Sequence, residues 1–87
     1  MKSLTTPDFW QSYSQLSSQT KKKARKAYRL WKADPRHPSL RFKKVGELWA
    51  VRIDASYRAL GVVEEDVLYW FWIGAHAEYE RLITQSR

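Results

Sequence analysis

The sequence VLYWFWI at residues 67–73 is the most apolar stretch of the chain. It has the length of a single strand, and apolar side chains on both faces are typical of a strand that is covered on both sides. The acidic turn sequence Glu64-Glu65-Asp66 precedes it, and Gly74 follows it. The stretch therefore predicts a buried central strand around which the rest of the chain is arranged.

The sequence before this strand alternates as further strands do. Residues 48–54 (LWAVRID) place Trp49, Val51 and Ile53 on one face and Ala50, Arg52 and Asp54 on the other. Residues 57–63 are rich in β-forming side chains, and residues 40–45 form a possible strand that ends at Gly46-Glu47. Residues 1–5 are a weaker strand candidate for an edge. Three or four antiparallel strands are expected from this pattern.

The remaining sequence has the period and the caps of helices. Thr6-Pro7-Asp8 is a typical helix start and predicts a helix over residues 7–16. The polar residues 17–20 break that helix and begin a second one, which ends at Asp34-Pro35, and Pro38 should keep the next segment extended. A short helix is expected over residues 75–85. The predicted class is α+β, with an N-terminal helical hairpin packed on a small antiparallel sheet and a short C-terminal helix.

Length and composition limit the function classes. With 87 residues, 44% of them apolar and 13 aromatic (5 Trp, 5 Tyr and 3 Phe), the chain is expected to form a single domain over residues 1–87. It has no cysteine, which excludes a disulfide scaffold and a thiolate metal site. The N-terminus lacks the apolar core of a signal peptide, and the longest apolar run is too short to span a bilayer. We expect a cytoplasmic protein without a membrane contact, a metal or a cofactor.

The positive charge is concentrated in one part of the chain. The net charge is +7, but residues 20–46 hold eleven basic residues against one acidic residue, which leaves +10 there and −3 elsewhere. Such a bias favours a surface for nucleic acid or another polyanion, and the alternative is a solvated helix face. The residues predicted to bind RNA or the ribosome are Lys21, Lys22, Lys23, Arg25, Lys26, Arg29, Lys32, Arg41, Lys43 and Lys44.

Few residues have the pattern of a catalytic site. There is no Gly-rich phosphate loop and no His-x-x-x-His metal spacing, and His37 lies in a loop that we interpret as surface. Arg52 and Arg58 interrupt neighbouring apolar strands, and a guanidinium on a sheet can clamp a phosphate. His76 follows the buried strand, and imidazole is the side chain best suited to proton transfer near neutral pH. Tyr79, three residues further, would share its helix face.

The connection between the two arginine strands decides whether the arginines can act together. A three-residue connection with Ile53 opposite Tyr57 would place Arg52 directly opposite Arg58, and a two-residue connection would place them on opposite faces. The sequence leaves both alternatives open.

Each candidate also has an ordinary structural interpretation. Arg52 could pair with Asp54, Arg58 could be a sheet-edge residue, His76 a helix-capping or surface residue, and Tyr79 a core residue.

The order of these motifs resembles that of one family. The segments concerned are Phe42 with Gly46, Trp49-Ala-Val-Arg52-Ile-Asp54, Tyr57-Arg58-Ala59, and Trp72-Ile73-Gly74-Ala75-His76 with Tyr79. Together with the helical hairpin they resemble the RelE/ParE toxin superfamily of bacterial toxin–antitoxin modules. The resemblance implies a RelE-like fold and, in the RelE branch, a metal-free endonuclease that cuts messenger RNA (mRNA) in the ribosome, where the 2′-hydroxyl attacks the adjacent phosphate.

The resemblance also assigns roles and partners. Arg52 matches a basic residue of the second-strand motif, Arg58 the arginine that contacts the scissile phosphate, His76 a candidate general acid, and Tyr79 the C-terminal aromatic. The implied partners are a cognate antitoxin, the ribosome and mRNA, with DNA reached only through the antitoxin complex. Ala50 stands where some members carry a second basic residue, and Asp54 is the possible general base in the strands. The alternative is a non-catalytic toxin of the ParE branch that binds DNA gyrase, or a degenerate nucleic-acid-binding protein of the same fold.

Overall fold

The computed structural model describes residues 2–85, so Met1, Ser86 and Arg87 of the expected domain lie outside the described residues. The elements in chain order are β1 (Lys2–Thr5), α1 (Pro7–Ser14), α2 (Ser18–Ala33), a 3₁₀ turn (Pro38–Leu40), β2 (Lys43–Val45), β3 (Leu48–Arg52), β4 (Tyr57–Glu64), β5 (Val67–Ala75) and α3 (His76–Gln85). Within residues 2–85, no helix has the length and apolar character needed to cross a membrane.

The five strands form one sheet in the order β1-β5-β4-β3-β2. β2 to β5 are antiparallel neighbours, as the sequence predicts, and the α+β class is confirmed. β1 differs because it lies parallel to β5, with Lys2 opposite Val67, so the sheet is mixed. No hairpin joins β1 to β5. The pairing of β1 with β5 continues at Thr6, whose backbone N–H donates to the Trp70 carbonyl at 3.0 Å.

The face of the sheet that α2 covers holds the larger core. Ala24, Ala27 and Trp31 of α2 pack with Val51 and Ile73 of the sheet. The aromatic residues interlock here, and the Trp31 and Trp70 rings meet edge to face with centroids 5.5 Å apart. The predicted face of Trp49, Val51 and Ile53 is confirmed, because all three pack in this core, but β3 ends at Arg52. Asp54, expected on the face of Arg52, instead lies in the following turn and contacts Lys23 of α2.

α3 covers part of the opposite face. Ala50 and Leu60 pack there with Tyr79 and Ile83 of α3. A bulge between Leu60 and Gly61 leaves Phe71 without a cross-strand partner, and both Phe71 and Trp72 reach this smaller core. The Trp72 indole lies over Gly74, where a Cβ would be 2.5 Å from the ring. Gly74 therefore leaves room for a ring that a side chain would displace.

The segment after Pro38 differs from the sequence expectation. A strand was expected over residues 40–45, but Pro38–Leu40 forms a 3₁₀ turn and Arg41 has a left-handed φ of 45°. His37 Nδ1 accepts a hydrogen bond from the Ser39 backbone N–H at 3.2 Å, and Leu40 is buried in the core, so both hold the turn. The strand consequently begins only at Lys43.

Candidate active site

The loop between β3 and β4 has three residues, 54–56, between the paired residues Ile53 and Tyr57. The Ile53 backbone N–H donates to the Tyr57 carbonyl at 3.0 Å, and between them Asp54 forms an Asx turn. In that turn Asp54 Oδ1 accepts from the backbone N–H groups of Ser56 (2.8 Å) and Tyr57 (2.9 Å). Arg52 is consequently the direct cross-strand partner of Arg58. The two guanidinium side chains lie on the same face of the sheet, the one that α3 covers.

The start of α3 brings the other two candidate residues to these arginines. The His76 backbone N–H donates to the Ser56 carbonyl at 2.8 Å, which ties the first residue of α3 to the β3–β4 turn. The His76 and Tyr79 rings lie with centroids 5.6 Å apart. The Arg58 guanidinium lies over the Tyr79 ring at 6.0 Å from its centroid. The four residues that the sequence singles out for catalysis are therefore neighbours in space.

These four residues line an open groove of about 600 Å³, named here the cationic groove. Its remaining charged residues come from the segment before β3 and from α3. They are Arg41, Lys43, Lys44 and Glu80. Glu80 is the only carboxylate among the described residues of the groove, and its Oε1 lies 3.3 Å from His76 Nε2. An anion that enters this groove meets an excess of positive charge.

The basic stretch of the sequence is divided by the sheet. The basic side chains of α2 belong to the helix that covers the opposite face, whereas Arg41, Lys43 and Lys44 line the cationic groove. The charge pattern of the sequence predicts these three as docking residues. Antiparallel pairing places Lys43 opposite Ala50, two residues before Arg52 on the same face, so the alternation of β3 was the signal that could have identified Lys43.

Arg58 is held in place before any ligand arrives. Its Nη1 donates to the backbone carbonyls of Asp54 (2.6 Å) and Tyr57 (2.9 Å), so Nε and Nη2 can donate to an anion. Burial is the main cause that lowers the pKa of Arg58 from its ordinary value, and the nearby Arg52 lowers this pKa further. Arginine nevertheless stays protonated at neutral pH, so the groove keeps this charge.

Asp54 does not pair with Arg52. Its Oδ2 lies 3.4 Å from the ammonium of Lys23, a residue of α2. Burial acts to raise the pKa of Asp54, but hydrogen bonds from Ser56 and Tyr57 and the charge of Lys23 outweigh it and lower the pKa. Within residues 2–85, no group of three or more His, Asp or Glu residues is arranged to hold a metal ion.

A second groove of about 570 Å³ lies on the other face, between β1, α1 and α2. Its lining is largely apolar, and it is named here the apolar groove. Leu4, Trp10 and Tyr28 line it and are exposed, with 44%, 53% and 38% of their surface accessible. Arg25 and Arg29 of α2 also line it. Exposed apolar side chains beside cations are typical of a surface that binds a partner.

Comparisons with known proteins agree with this architecture. The fold is similar to the YoeB/ParE toxin from Agrobacterium tumefaciens (TM-score 0.66, 20% identity, 87% of this chain and 99% of that chain). It is similar to the RelB–RelE antitoxin–toxin complex from Methanococcus jannaschii (TM-score 0.70, 12% identity, 91% and 96%). It is also similar to YafQ from E. coli strain BL21(DE3) (TM-score 0.71, 9% identity, 90% and 96%). A search of curated protein sequences found no match.

The sequence itself matches a family. Residues 18–81 match the ParE-like toxin domain, a span that begins with α2 and reaches into α3. The match includes every strand of the cationic groove and all four candidate catalytic residues. The family suggested by the motif order is confirmed, and the chain belongs to the ParE-like toxin domains of the RelE/ParE superfamily of toxins.

Proposed function

We propose that this chain is the toxin of a toxin–antitoxin system and that it cleaves mRNA in the ribosome without a metal ion. Arg52, Arg58, His76 and Tyr79 converge in one groove, and this observation carries the proposal. Arg41, Lys43 and Lys44 add positive charge where a polynucleotide would pass. The proposed toxin domain comprises residues 1–87, and the proposed place of action is the cytoplasm.

The chemistry requires little from the protein because RNA supplies its own nucleophile. The 2′-hydroxyl oxygen forms a bond to the adjacent phosphorus and gives up its proton to water, and the bond from phosphorus to the 5′ oxygen breaks. Arg52 and Arg58 would neutralise the charge that grows on the phosphoryl oxygens in the transition state. His76 would donate a proton to the departing 5′ oxygen. Its Nε2 faces Glu80, so Nδ1 is the ring nitrogen left for that transfer.

Tyr79 has a supporting role in this proposal. It is buried, with 5% of its surface accessible, and its ring contacts both the His76 ring and the Arg58 guanidinium. Its contacts with the Arg58 guanidinium and the His76 ring would keep both side chains facing the same phosphate.

The basic residues of α2 would dock the toxin on ribosomal RNA. The residues proposed for this contact are Lys21, Lys22, Lys23, Arg25, Lys26, Arg29 and Lys32. Binding through such residues weakens steeply as salt increases, because each phosphate contact releases condensed counterions. Docking through α2 would leave the cationic groove on the opposite face available to the message.

A cognate antitoxin is the second proposed partner. One similar structure is a complex of a toxin with its antitoxin. The apolar groove supports such a partner here, because Leu4 and Trp10 are exposed on it and Arg25 and Arg29 line it. These features fit an amphipathic segment with acidic residues along one side.

Expression without an antitoxin tests the proposal. The wild-type chain should arrest growth and produce cuts in translated messages, and the double variant Arg58→Ala, His76→Ala should do neither. Arg36→Ala, His37→Asn is the matched control, because it removes the same two residue types from outside the groove and the asparagine oxygen can still accept the Ser39 N–H that holds the 3₁₀ turn.

Two outcomes count against catalysis. Growth arrest that the Arg58→Ala, His76→Ala variant retains in full would refute it. DNA-damage signalling with intact mRNA would favour the alternative, a toxin that binds DNA gyrase.

A further inference from the structure

The β3–β4 turn at residues 54–56 contacts two of the groups that form the cationic groove. The Asp54 carbonyl accepts from Arg58 Nη1 at 2.6 Å, and the Ser56 carbonyl accepts from the His76 backbone N–H at 2.8 Å. One short turn thus sets the position of the guanidinium and of the first residue of α3. A displacement of this turn would move both.

The Asp54 side chain reinforces the backbone hydrogen bond that closes the turn. Its Oδ1 accepts from two backbone N–H groups of the turn, those of Ser56 and Tyr57. Its Oδ2 faces the ammonium of Lys23 at 3.4 Å, which connects the turn to α2. These interactions lower the pKa of Asp54 although its burial acts to raise it, so the carboxylate is ionised at neutral pH.

We propose that Asp54 is a positioning residue for the cationic groove: its carboxylate fixes the β3–β4 turn, and the turn holds Arg58 and His76 toward the same phosphate. This inference rests on the proposed cleavage function. It also removes Asp54 as a general base, because both carboxylate oxygens are engaged within the turn and by Lys23. Asp54 acts through Arg58 and His76 and does not touch the RNA.

Two variants of Asp54 separate the geometry of the turn from its charge, and a third variant elsewhere in the chain is the control. Asp54→Asn keeps an Oδ1 that can accept from both N–H groups but loses the negative charge, and Asp54→Ala loses both. The matched control is Asp34→Ala, because Asp34 Oδ1 accepts from the Arg36 backbone N–H at 3.2 Å in a similar turn beyond α2. The assay is single-site cleavage of a ribosome-bound message, with kcat and KM determined separately.

Asp54→Ala should lower kcat by about 10- to 100-fold with KM changed less than about threefold, the size of effect that a misplaced catalytic group produces. Asp54→Asn should keep kcat within about threefold of wild type, with an unchanged pH profile, and Asp34→Ala should match wild type. A folded Asp54→Ala variant with wild-type kcat would overturn the inference. Loss of cleavage in Asp54→Asn, together with a change in the acidic limb of the pH profile of kcat, would also overturn the inference. That result would show that the Asp54 carboxylate acts as a general base in cleavage.

A second readout does not depend on cleavage. In nitrogen-15 NMR spectra, the Arg58 Nη1 protons should give separate signals in wild type and Asp54→Asn and one averaged signal in Asp54→Ala. If the wild-type protein cuts no RNA, the proposed function fails, and these signals still decide the positioning inference. Identical Arg58 signals in all three proteins would refute it. If Asp54→Ala does not fold, Asp54→Ser replaces it, because a serine hydroxyl closes such turns more weakly than a carboxylate does. This variant should lose about three- to tenfold in kcat. A folded Asp54→Ser variant without that loss would overturn the inference.

Discussion

Replacing Arg52 with glutamine separates what this residue does for function from what it does for stability. Arg52 and Arg58 are direct cross-strand partners, and Arg41 and Lys43 line the same groove. Like charges at directly opposed positions of a sheet repel each other. A glutamine keeps most of the length of the side chain and removes only the charge. If the arginine pair is there to bind a phosphate, the variant should lose activity and gain stability.

The sheet geometry gives the expected size of both effects. Cross-strand pairs contribute about 0.2–1 kcal/mol, with like charges destabilising, so Arg52→Gln should raise the free energy of unfolding by about 0.5 kcal/mol. For a domain of this length that corresponds to a rise in Tm of about 2–4 °C. The removal of one group that stabilises transition-state charge typically costs about 10²- to 10³-fold in kcat, and we expect a loss in that range.

Thermal unfolding followed by circular dichroism at two salt concentrations measures the stability effect. Repulsion is screened over about 10 Å at 0.1 M salt and about 3 Å at 1 M, so the gain in Tm should shrink at high salt. Lys2→Gln is the matched control, because it removes a positive charge from an exposed position of the sheet that lies outside the cationic groove and opposite the uncharged Val67, so it should leave Tm nearly unchanged. Cleavage of a ribosome-bound message measures the activity.

A variant that is less stable than wild type and equally active would refute this reasoning. It would show that Arg52 packs as a structural residue and takes no part in phosphate chemistry. A gain in Tm that persists unchanged at 1 M salt would contradict only the electrostatic explanation of the stability effect and would leave the prediction for activity in place.

Three further predictions follow from the packing, the apolar groove and the turn. Gly61→Ala should destabilise the fold by about 1–3 kcal/mol in urea unfolding, because its Cβ would lie 2.8 Å from Leu68 Cδ1 in the closed core; wild-type stability would contradict it. Leu4→Ala with Trp10→Ala should weaken binding of the antitoxin at least tenfold in calorimetry and leave RNA cleavage intact, and equal affinity would exclude the apolar groove as the docking site. Asp54→Asn should be less stable than wild type at pH 7, because the lowered native pKa of Asp54 gives stability that is fully present above the unfolded value of about 4. The difference should shrink as the pH falls from about 4 through the native pKa, and a constant difference down to pH 2 would be contradictory.

The sheet was predictable because two of its strands carry a clear signal, one of them alternation and the other an unbroken apolar run. The alternation of residues 48–54 and the apolar run at 67–73 identify two strands and the faces of the first. The parallel pairing of β1 was not predictable, because residues 2–5 are short and mostly polar and their partner is distant in sequence. The 3₁₀ turn at Pro38–Leu40 depends on a side-chain hydrogen bond and on burial of Leu40, which no periodicity records.

The candidate site was predictable in its members and less so in its arrangement. The sequence identifies the two arginines, but their common face depends on an Asx turn that Asp54 closes. Lys43 joins them only because β2 folds back on β3. The contact between Lys23 and Asp54 links a helix to a turn 31 positions away and leaves no local signal in the sequence.

The central claim is that the cationic groove cleaves RNA by attack of the 2′-hydroxyl. The most direct test incubates the purified protein with ribosomes that hold a defined message and determines the chemical ends at the cut. The account predicts a 2′,3′-cyclic phosphate and a 5′-hydroxyl, with cleavage lost when a single 2′-deoxynucleotide replaces the nucleotide before the scissile bond. Cleavage that persists at the deoxynucleotide, or that leaves a 5′-phosphate, would contradict it.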